Sequence, residues 1–158
     1  MVNGTTKNIY LLRHGKVEGK AALNGLSDVL VNLELQEQIC EALAKQDITF
    51  DSVVTSPLRR CGDLANLYAE RMSVPLSVAP GFQGMNFGEV DGVPSDELED
   101  KWAMLVTFWQ DPANHQLTGA ESLQGFHDRV TQAWSQLLND PSDNIDRKST
   151  RLNSSHVF

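Results

Sequence analysis

Short apolar runs alternate with longer amphipathic segments along this chain of 158 residues, and that alternation restricts the fold more than any other feature. Three apolar runs are each short enough for a single β-strand. They lie at Asn8–Leu12, Phe50–Thr55 and Val74–Ala79. Four other segments repeat apolar residues at helical spacing. These are Leu33–Lys45, Ser56–Met72, Ser95–Trp109 and Glu121–Leu138. The pattern predicts an α/β fold, a three-layer α/β/α sandwich around a mostly parallel sheet.

Several local features refine this prediction. The run Asn8–Leu12 is predicted to be a fully buried strand of the parallel sheet. Pro57 is predicted to occupy the first helical position after a Ser56 cap. The tryptophans of the last two helices are predicted to pack in the core, since large aromatic side chains at helical spacing are mostly core residues. They are Trp102, Trp109 and Trp134.

Composition limits the class of protein. Apolar residues make up 41% of the chain, enough for a normal core, and the formal charge is −8. Such an acidic chain argues against nucleic acid as the main partner, because nucleic-acid binding needs a basic surface. It does not exclude a small anionic substrate held by a few arginines.

No apolar run is long enough to span a membrane and no signal peptide begins the chain, so we expect a cytoplasmic protein. Cys40 and Cys61 are expected to be small buried side chains without a disulfide or a zinc ion.

Arg13, His14 and Gly15 directly follow the first predicted strand. Ligands of open α/β sheets bind beyond the carboxyl ends of the strands. The fork of an arginine matches phosphate oxygens, a neutral histidine nitrogen is a nucleophile, and a glycine lets a ligand approach closely. The segment "TSPLRRC" places Ser56 and an arginine at a second strand end and a helix N-terminus, which is itself an anion site. We therefore predict a site that binds and attacks a phosphoryl group.

These motifs resemble a known group of proteins. "LLRHG" at Leu11–Gly15 and "SPLRRC" at Ser56–Cys61 are similar to the motifs of the histidine phosphatase superfamily, which includes the cofactor-dependent phosphoglycerate mutases. "MNFGEVDG" at Met85–Gly92 and "GAESLQGFHDRV" at Gly119–Val130 also resemble it. Within the superfamily the chain looks most like the bacterial α-ribazole phosphatases, which remove a phosphate from the lower-ligand precursor of cobalamin.

The resemblance implies a phosphoglycerate mutase-like fold and a role for each motif residue. His14 would be the nucleophile and would form a phosphohistidine that water then hydrolyses. Arg13 and Arg60 would bind the phosphoryl oxygens, whereas Arg59 would face solvent. The scheme requires no metal and no cofactor, and the implied partner is a small phosphorylated substrate.

The chain departs from the family pattern at two points. Gly84 stands where the family carries a glutamate that protonates the leaving group. Glu89 and Asp91 are near in sequence, and they are either substitutes for that acid or ordinary loop carboxylates. The family also needs a second histidine at a strand end. His115 lies in a predicted loop and His127 on a predicted helix, so both are expected to be ordinary surface residues. The remaining candidate, His156, lies in the last segment of the chain.

The last segment, "DRKSTRLNSSHVF", is polar, basic and without periodicity. It resembles the translation of a sequencing adapter. We therefore predict two regions: residues 1–145 form a histidine phosphatase domain that is incomplete at its C-terminus, and residues 146–158 form a non-native tail that the sheet does not use. Since the missing part would supply a central strand and the second histidine, the chain as written is expected to have low stability and impaired activity.

Three functions remain open from the sequence. The first is hydrolysis of a small phosphomonoester, and the second is binding of phosphorylated ligands without turnover. The third is a phosphoglycerate mutase-like reaction, which a short chain favours less. The sequence determines neither the substrate nor the oligomeric state.

Overall fold

A parallel sheet of four strands runs through the part of the chain that the computed structural model describes, residues 6–140 and 153–157. The strands are β1 (Thr6–Tyr10), β2 (Ser52–Thr55), β3 (Leu76–Val78) and β4 (Asn153–Val157). Their order in the sheet is β1-β4-β2-β3, and every pairing is parallel. This confirms the predicted α/β sandwich with a mostly parallel sheet.

β1 begins and ends two residues earlier than predicted, and it is not fully buried. Its terminal residues Thr6 and Tyr10 are exposed, and the three residues between them are half-buried. Among the described strands, β1 pairs only with β4 and therefore forms one edge of the sheet. One neighbour instead of two leaves part of the strand open to solvent, which the apolar run in the sequence could not indicate.

β4 comes from the segment that we predicted the sheet would not use, so that expectation is wrong. The strand lies between β1 and β2, and its residues pair one by one with those of β1. In this register His156 stands opposite Ile9 on one side and Ser52 on the other. Main-chain groups form these pairings, and they can do so whatever the side-chain pattern. The division at residue 145 and the non-native origin of the tail stay predictions.

Four α-helices accompany the strands in the described residues: α1 (Leu33–Ala44), α2 (Arg59–Met72), α3 (Trp102–Gln110) and α4 (Leu123–Leu138). α1 begins where the spacing predicts, because the Asn32 side chain accepts hydrogen bonds from the backbone of Glu34 and Leu35. α3 begins later than predicted, since Ser95–Glu97 and Glu99–Lys101 form two single turns of 3₁₀ helix. No helix in these residues is long and apolar enough to cross a membrane.

The N-terminus of α2 differs from the prediction. The helix begins at Arg59 instead of Pro57, and Ser56 does not cap it. The Ser56 hydroxyl oxygen instead accepts a hydrogen bond from the backbone of Leu58 (3.3 Å). The first free N–H of the helix, on Arg59, donates to the carboxylate of Asp28 (2.7 Å). A distant loop thus supplies the cap that local sequence was expected to provide.

Two apolar clusters form the core. The first lies between the sheet and α1 and α2, and the second joins α3 to the loops on either side of it. The first contains Cys40, Phe50, Val53, Leu64, Ala65 and Tyr68, and the second contains Met85, Val90, Leu98, Leu105, Phe108, Leu117 and Ala120.

The core prediction is wrong for two tryptophans. Trp102 and Trp109 are about half exposed, at 52% and 49%, and contact each other edge to face on the outside of α3. The helix turns Leu105 and Phe108 inward instead. The cysteines are free thiols, with Cys40 buried and Cys61 half-buried.

Candidate active site

His14 lies four residues beyond the end of β1, and its ring is half-buried. Its Nδ1 atom is 2.8 Å from the carbonyl oxygen of Gly15. A carbonyl oxygen can only accept a hydrogen bond, so Nδ1 must carry the proton in the neutral ring. The lone pair of the neutral imidazole is then on Nε2. This hydrogen bond therefore selects the tautomer that a nucleophilic histidine needs.

One cavity connects His14 with the junction between β2 and α2. Thr55 at the end of β2 and Cys61 in the first turn of α2 line it together with His14. Most of its other lining residues are apolar, and neither Arg13 nor Arg60 lines it. Burial raises the pKa of the Cys61 thiol, and the nearby Arg60 charge opposes this effect only in part. Cys61 therefore stays a thiol, which leaves the histidine as the stronger nucleophile of this cavity.

Gly15 packs against α1. A Cβ atom on Gly15 would lie 2.9 Å from Cδ1 of Ile39 and 3.0 Å from Cδ2 of Leu35. A side chain would thus need these two residues to move, so packing alone accounts for the glycine. The predicted role of Gly15 in substrate binding stays a prediction.

The two predicted phosphate-binding arginines have different surroundings. The side chain of Arg13 is exposed and forms no hydrogen bond or ion pair with another residue in the described part of the chain. Arg60 is only 5% exposed. Its guanidinium donates to the carbonyl oxygens of Ser27 (2.8 Å), Gly25 (2.8 Å) and Asn24 (3.2 Å). Arg13 is therefore available to an anion, whereas Arg60 already binds the backbone of a loop.

Arg59, the neighbour of Arg60, faces solvent as the resemblance implied. It is exposed, and its guanidinium lies 3.3 Å from the carboxylate of Asp63 one turn later on α2. Ser56 is buried beneath the start of α2. Its predicted contact with substrate stays untested.

The sequence left Asp91 open, either as a substitute for the missing acid or as an ordinary loop carboxylate. Its carboxylate accepts hydrogen bonds from the backbone N–H groups of Leu26 (3.0 Å), Ser27 (2.9 Å) and Phe87 (3.0 Å), and from the Ser27 hydroxyl. Burial acts to raise the pKa of Asp91, but these hydrogen bonds outweigh it and hold the pKa below its usual range. The motif "MNFGEVDG" contains Asp91, but the sequence did not predict these hydrogen bonds. Those from Leu26 and Ser27 join segments more than 60 residues apart.

An ion pair between Arg129 and Glu121 lies beside the loop that contains Gly84. Arg129 on α4 donates to the carboxylate of Glu121 (2.6 Å) and to the carbonyl oxygens of Gly81 (3.0 Å), Gln83 (3.0 Å) and Gly84 (3.2 Å). Burial acts to raise the pKa of Glu121, but the bonds from Arg129 and from the backbone of Asn86 lower it overall. Sequence spacing alone did not indicate this pair.

Gly84 itself has little space for a side chain. A Cβ atom on Gly84 would lie 2.9 Å from Nη2 of Arg60 and 2.9 Å from the carbonyl oxygen of Gly25. A glutamate at this position would require Arg60 or the loop at Gly25 to move. The close approach of these backbones explains a glycine here in physical terms.

The two carboxylates that follow Gly84 closely in the sequence, Glu89 and Asp91, both interact with other residues. Glu89 is exposed and pairs with Lys101 at 2.9 Å. Asp91 accepts four hydrogen bonds and its lowered pKa keeps it ionised. An ionised carboxylate has no proton to donate, so Asp91 fits a binding role better than a general-acid role.

His115 and His127 are exposed, as expected of surface residues. Position 156 lies in β4, where only the backbone is described. Among residues 6–140, no group of three His, Cys, Asp or Glu side chains is arranged to hold a metal ion.

Comparisons with known proteins found a matching family model and several similar proteins. The family model of the histidine phosphatase superfamily (branch 1) matches residues 9–145. A broad-specificity phosphatase of Saccharomyces cerevisiae is 30% identical over 99 residues, which cover 58% of this chain and 43% of the yeast protein. The match thus spans less than half of that relative.

Two further proteins are similar over most of the chain. A 2,3-bisphosphoglycerate-dependent phosphoglycerate mutase of Bartonella henselae is 26% identical over 159 residues, which cover 95% of this chain and 76% of the mutase. The crystal structure of the α-ribazole phosphatase from Shigella flexneri superposes with a TM-score of 0.74 at 22% identity, and the match covers 94% of this chain and 72% of that one. At that identity the structural likeness shows the fold alone.

Proposed function

Since the chain belongs to the histidine phosphatase superfamily, branch 1, we propose that it hydrolyses phosphomonoesters through a phosphohistidine on His14. The observation that carries this proposal is the hydrogen bond between Nδ1 of His14 and the Gly15 carbonyl, which leaves the lone pair on Nε2. The guanidinium of the adjacent Arg13 is exposed and has no partner among the residues that the structure describes. The segment that follows β1 thus supplies a nucleophile and an exposed cation.

The reaction has two steps. In the first, the Nε2 lone pair attacks phosphorus, the ester P–O bond breaks, and the alcohol leaves with its electron pair and takes up a proton. In the second, water attacks the phosphohistidine, the P–N bond breaks, and inorganic phosphate leaves. Arg13 would stabilise the charge on the phosphoryl oxygens in both steps, as expected for a reaction that depends on positioning and charge compensation.

Phosphohistidine labelling tests this proposal. The full chain would be incubated with a phosphate-labelled aryl phosphomonoester and quenched in alkali, in which phosphohistidine survives. We expect label that is acid-labile and absent from His14→Ala. His127→Ala is the matched control, because it removes an exposed histidine on α4. Label that persists in His14→Ala would contradict the assignment of the nucleophile.

For the substrate we propose α-ribazole 5'-phosphate, in the cytoplasm and in cobalamin biosynthesis. The resemblance of the motifs to α-ribazole phosphatases supports this choice. The test compares kcat/KM for α-ribazole 5'-phosphate with that for p-nitrophenyl phosphate, and we expect the first to be at least about tenfold higher. Equal values would indicate a phosphatase of broad specificity instead. Transfer of the label to a phosphoglycerate rather than to water would favour a mutase-like reaction, in line with the Bartonella relative.

One observation favours binding without turnover as the second candidate. Gly84 supplies no acid, Glu89 pairs with Lys101, and Asp91 is held ionised. Loss of a general acid typically costs about 10²–10⁴ in rate. A chain that binds inorganic phosphate but acquires no label on His14 would establish this alternative.

A further inference from the structure

Residues 24–28, here called the anchor segment, have their backbone bound by two charged side chains of opposite sign. Asp91 accepts from the N–H groups of Leu26 and Ser27 and from the Ser27 hydroxyl. Arg60 donates to the carbonyl oxygens of Asn24, Gly25 and Ser27. Hydrogen bonds that involve a charged group are roughly twice as strong as neutral ones. The anchor segment is therefore held more firmly than an ordinary loop.

Close packing of the backbone also holds the anchor segment in place. A Cβ atom on Gly25 would overlap the carbonyl oxygen of Met85, and a Cβ atom on Gly92 would overlap the Ser27 hydroxyl. Alongside the anchor segment, the N–H of Gly92 donates to the carbonyl of Leu23 (2.8 Å) and the N–H of Ser95 to that of Ala21 (2.8 Å). Residues 21–27 thus lie directly against residues 85–95.

The same segment is connected to the nucleophile and to α2. Three residues after His14, Val17 pairs with Val31, and the N–H of Glu18 donates to the carbonyl of Leu30 (2.8 Å). The loop that carries the anchor segment therefore begins three residues after His14, and its two ends pair with each other. Its last anchor residue, Asp28, accepts from the first N–H of α2, one residue before Arg60.

From these contacts we propose that Asp91 is a positioning residue of the phosphate site, which acts by holding the anchor segment and, through it, the guanidinium of Arg60. This inference rests on the proposed function and on the predicted role of Arg60 in phosphate binding. Both oxygens of the ionised carboxylate are needed, because each of them accepts two hydrogen bonds. An asparagine would keep one acceptor oxygen and would turn an NH₂ group toward an N–H donor.

A double-mutant cycle on the full chain tests the inference with inorganic phosphate as the probe. The four proteins are the wild type, Asp91→Asn, Arg60→Gln and the double variant. We expect Asp91→Asn to weaken phosphate binding by about tenfold, the usual effect of losing a charge-assisted hydrogen bond. If Asp91 acts through Arg60, Asp91→Asn should have little further effect when Arg60 is already replaced. Asp96→Asn is the matched control, since Asp96 forms an exposed ion pair with Lys20 at 3.0 Å, and it should bind phosphate like the wild type.

Hydrogen exchange of residues 24–28 and thermal unfolding complete the experiment. We expect faster exchange in the anchor segment of Asp91→Asn, with exchange in β2 and in α2 beyond its first turn unchanged. If Asp91→Asn does not fold, Ser27→Ala removes one of the four hydrogen bonds and should weaken phosphate binding by about two- to threefold. Multiplicative effects of Asp91→Asn and Arg60→Gln would overturn the inference, as would wild-type phosphate affinity in either Asp91→Asn or Ser27→Ala.

The two proposals fail in different ways. A wild-type chain that forms a phosphohistidine, combined with independent effects of Asp91 and Arg60, overturns only the role of Asp91. A wild-type chain that neither binds phosphate nor acquires label on His14 overturns the proposed function and this inference with it.

Discussion

At the scale of single residues, main-chain contacts decide which glycines the fold requires. Gly25 has no room for a methyl group, because its Cα faces the carbonyl oxygen of Met85. Gly62 in α2 is different, since a Cβ atom there would be 3.6 Å from the nearest atom, an ordinary contact distance. The sequence shows both simply as glycine, and only the neighbouring backbone distinguishes them.

We therefore predict opposite effects of alanine at these two positions. Gly25→Ala should destabilise the chain by about 1–3 kcal/mol or more, because the backbone of Met85 must move. Gly62→Ala should stabilise it by about 0.5–1 kcal/mol, because alanine favours the helix and restricts the unfolded chain. Denaturant unfolding of both variants measures the difference. A destabilised Gly62→Ala would contradict the packing described for α2.

At the scale of secondary-structure elements, α1 and α2 are capped in different ways. Asn32 caps α1 from the adjacent position in the chain, whereas Asp28 caps α2 from a loop. The start of α1 was predicted correctly from the helical spacing of its apolar residues, and the local Asn32 cap lies at the same point. The start of α2 was predicted two residues too early, because Pro57 and Ser56 looked like a local cap and the real one comes from a residue about 30 positions away.

The two caps predict two measurable losses. Asn32→Ala and Asp28→Ala should each lower the free energy of unfolding by about 1 kcal/mol. Asp28→Ala should also speed hydrogen exchange in the first turn of α2 and in the anchor segment, because it joins the two. Asn32→Ala should speed exchange in the first turn of α1 only. Equal exchange patterns for the two variants would show that Asp28 does not connect the loop with the helix.

At the scale of the whole molecule, the sheet depends on a strand from the far end of the chain. β4 separates β1 from β2, so these strands have no direct pairing with each other in the described sheet. Without β4, unpaired backbone groups of β1 and β2 would be left at a gap. The polar sequence of this segment did not predict a strand, because the expectation relied on side-chain pattern.

Replacing one residue in β4 tests its place in the sheet. Ser155 pairs in register with Asn8. Proline removes a backbone donor, so Ser155→Pro should cost ~1–3 kcal/mol relative to Ser155→Ala, equivalent to a Tm lower by roughly 2–10 °C. Thermal unfolding of both variants measures this. Equal Tm values, together with an unchanged Tm after deletion of residues 146–158, would support the earlier expectation that the sheet does not use this segment.

Acid should destabilise the whole fold through two half-buried, hydrogen-bonded carboxylates. The pKa values of Asp91 and Glu121 are lowered in the folded chain. The unfolded chain therefore binds more protons below about pH 4, so stability is complete above that range and is lost as the pH falls through the folded pKa values. Thermal unfolding between pH 7 and pH 3 should show this loss. The double variant Asp91→Asn and Glu121→Gln should be less stable at pH 7 and should depend less on pH.

The sequence alone determined the features that depend on near neighbours in the chain. These are the alternation of strands and helices, the extent of α1, and the motif that follows β1 with His14 in it, because each is set by spacing over a few residues. The tertiary structure decided the rest: β4 in the middle of the sheet, Trp102 and Trp109 on the surface, and the commitment of Arg60 and Asp91 to the anchor segment. Most of these outcomes depend on hydrogen bonds to the backbone, which join residues that are far apart in the chain. The pattern of side chains along the sequence does not indicate which residues will pair.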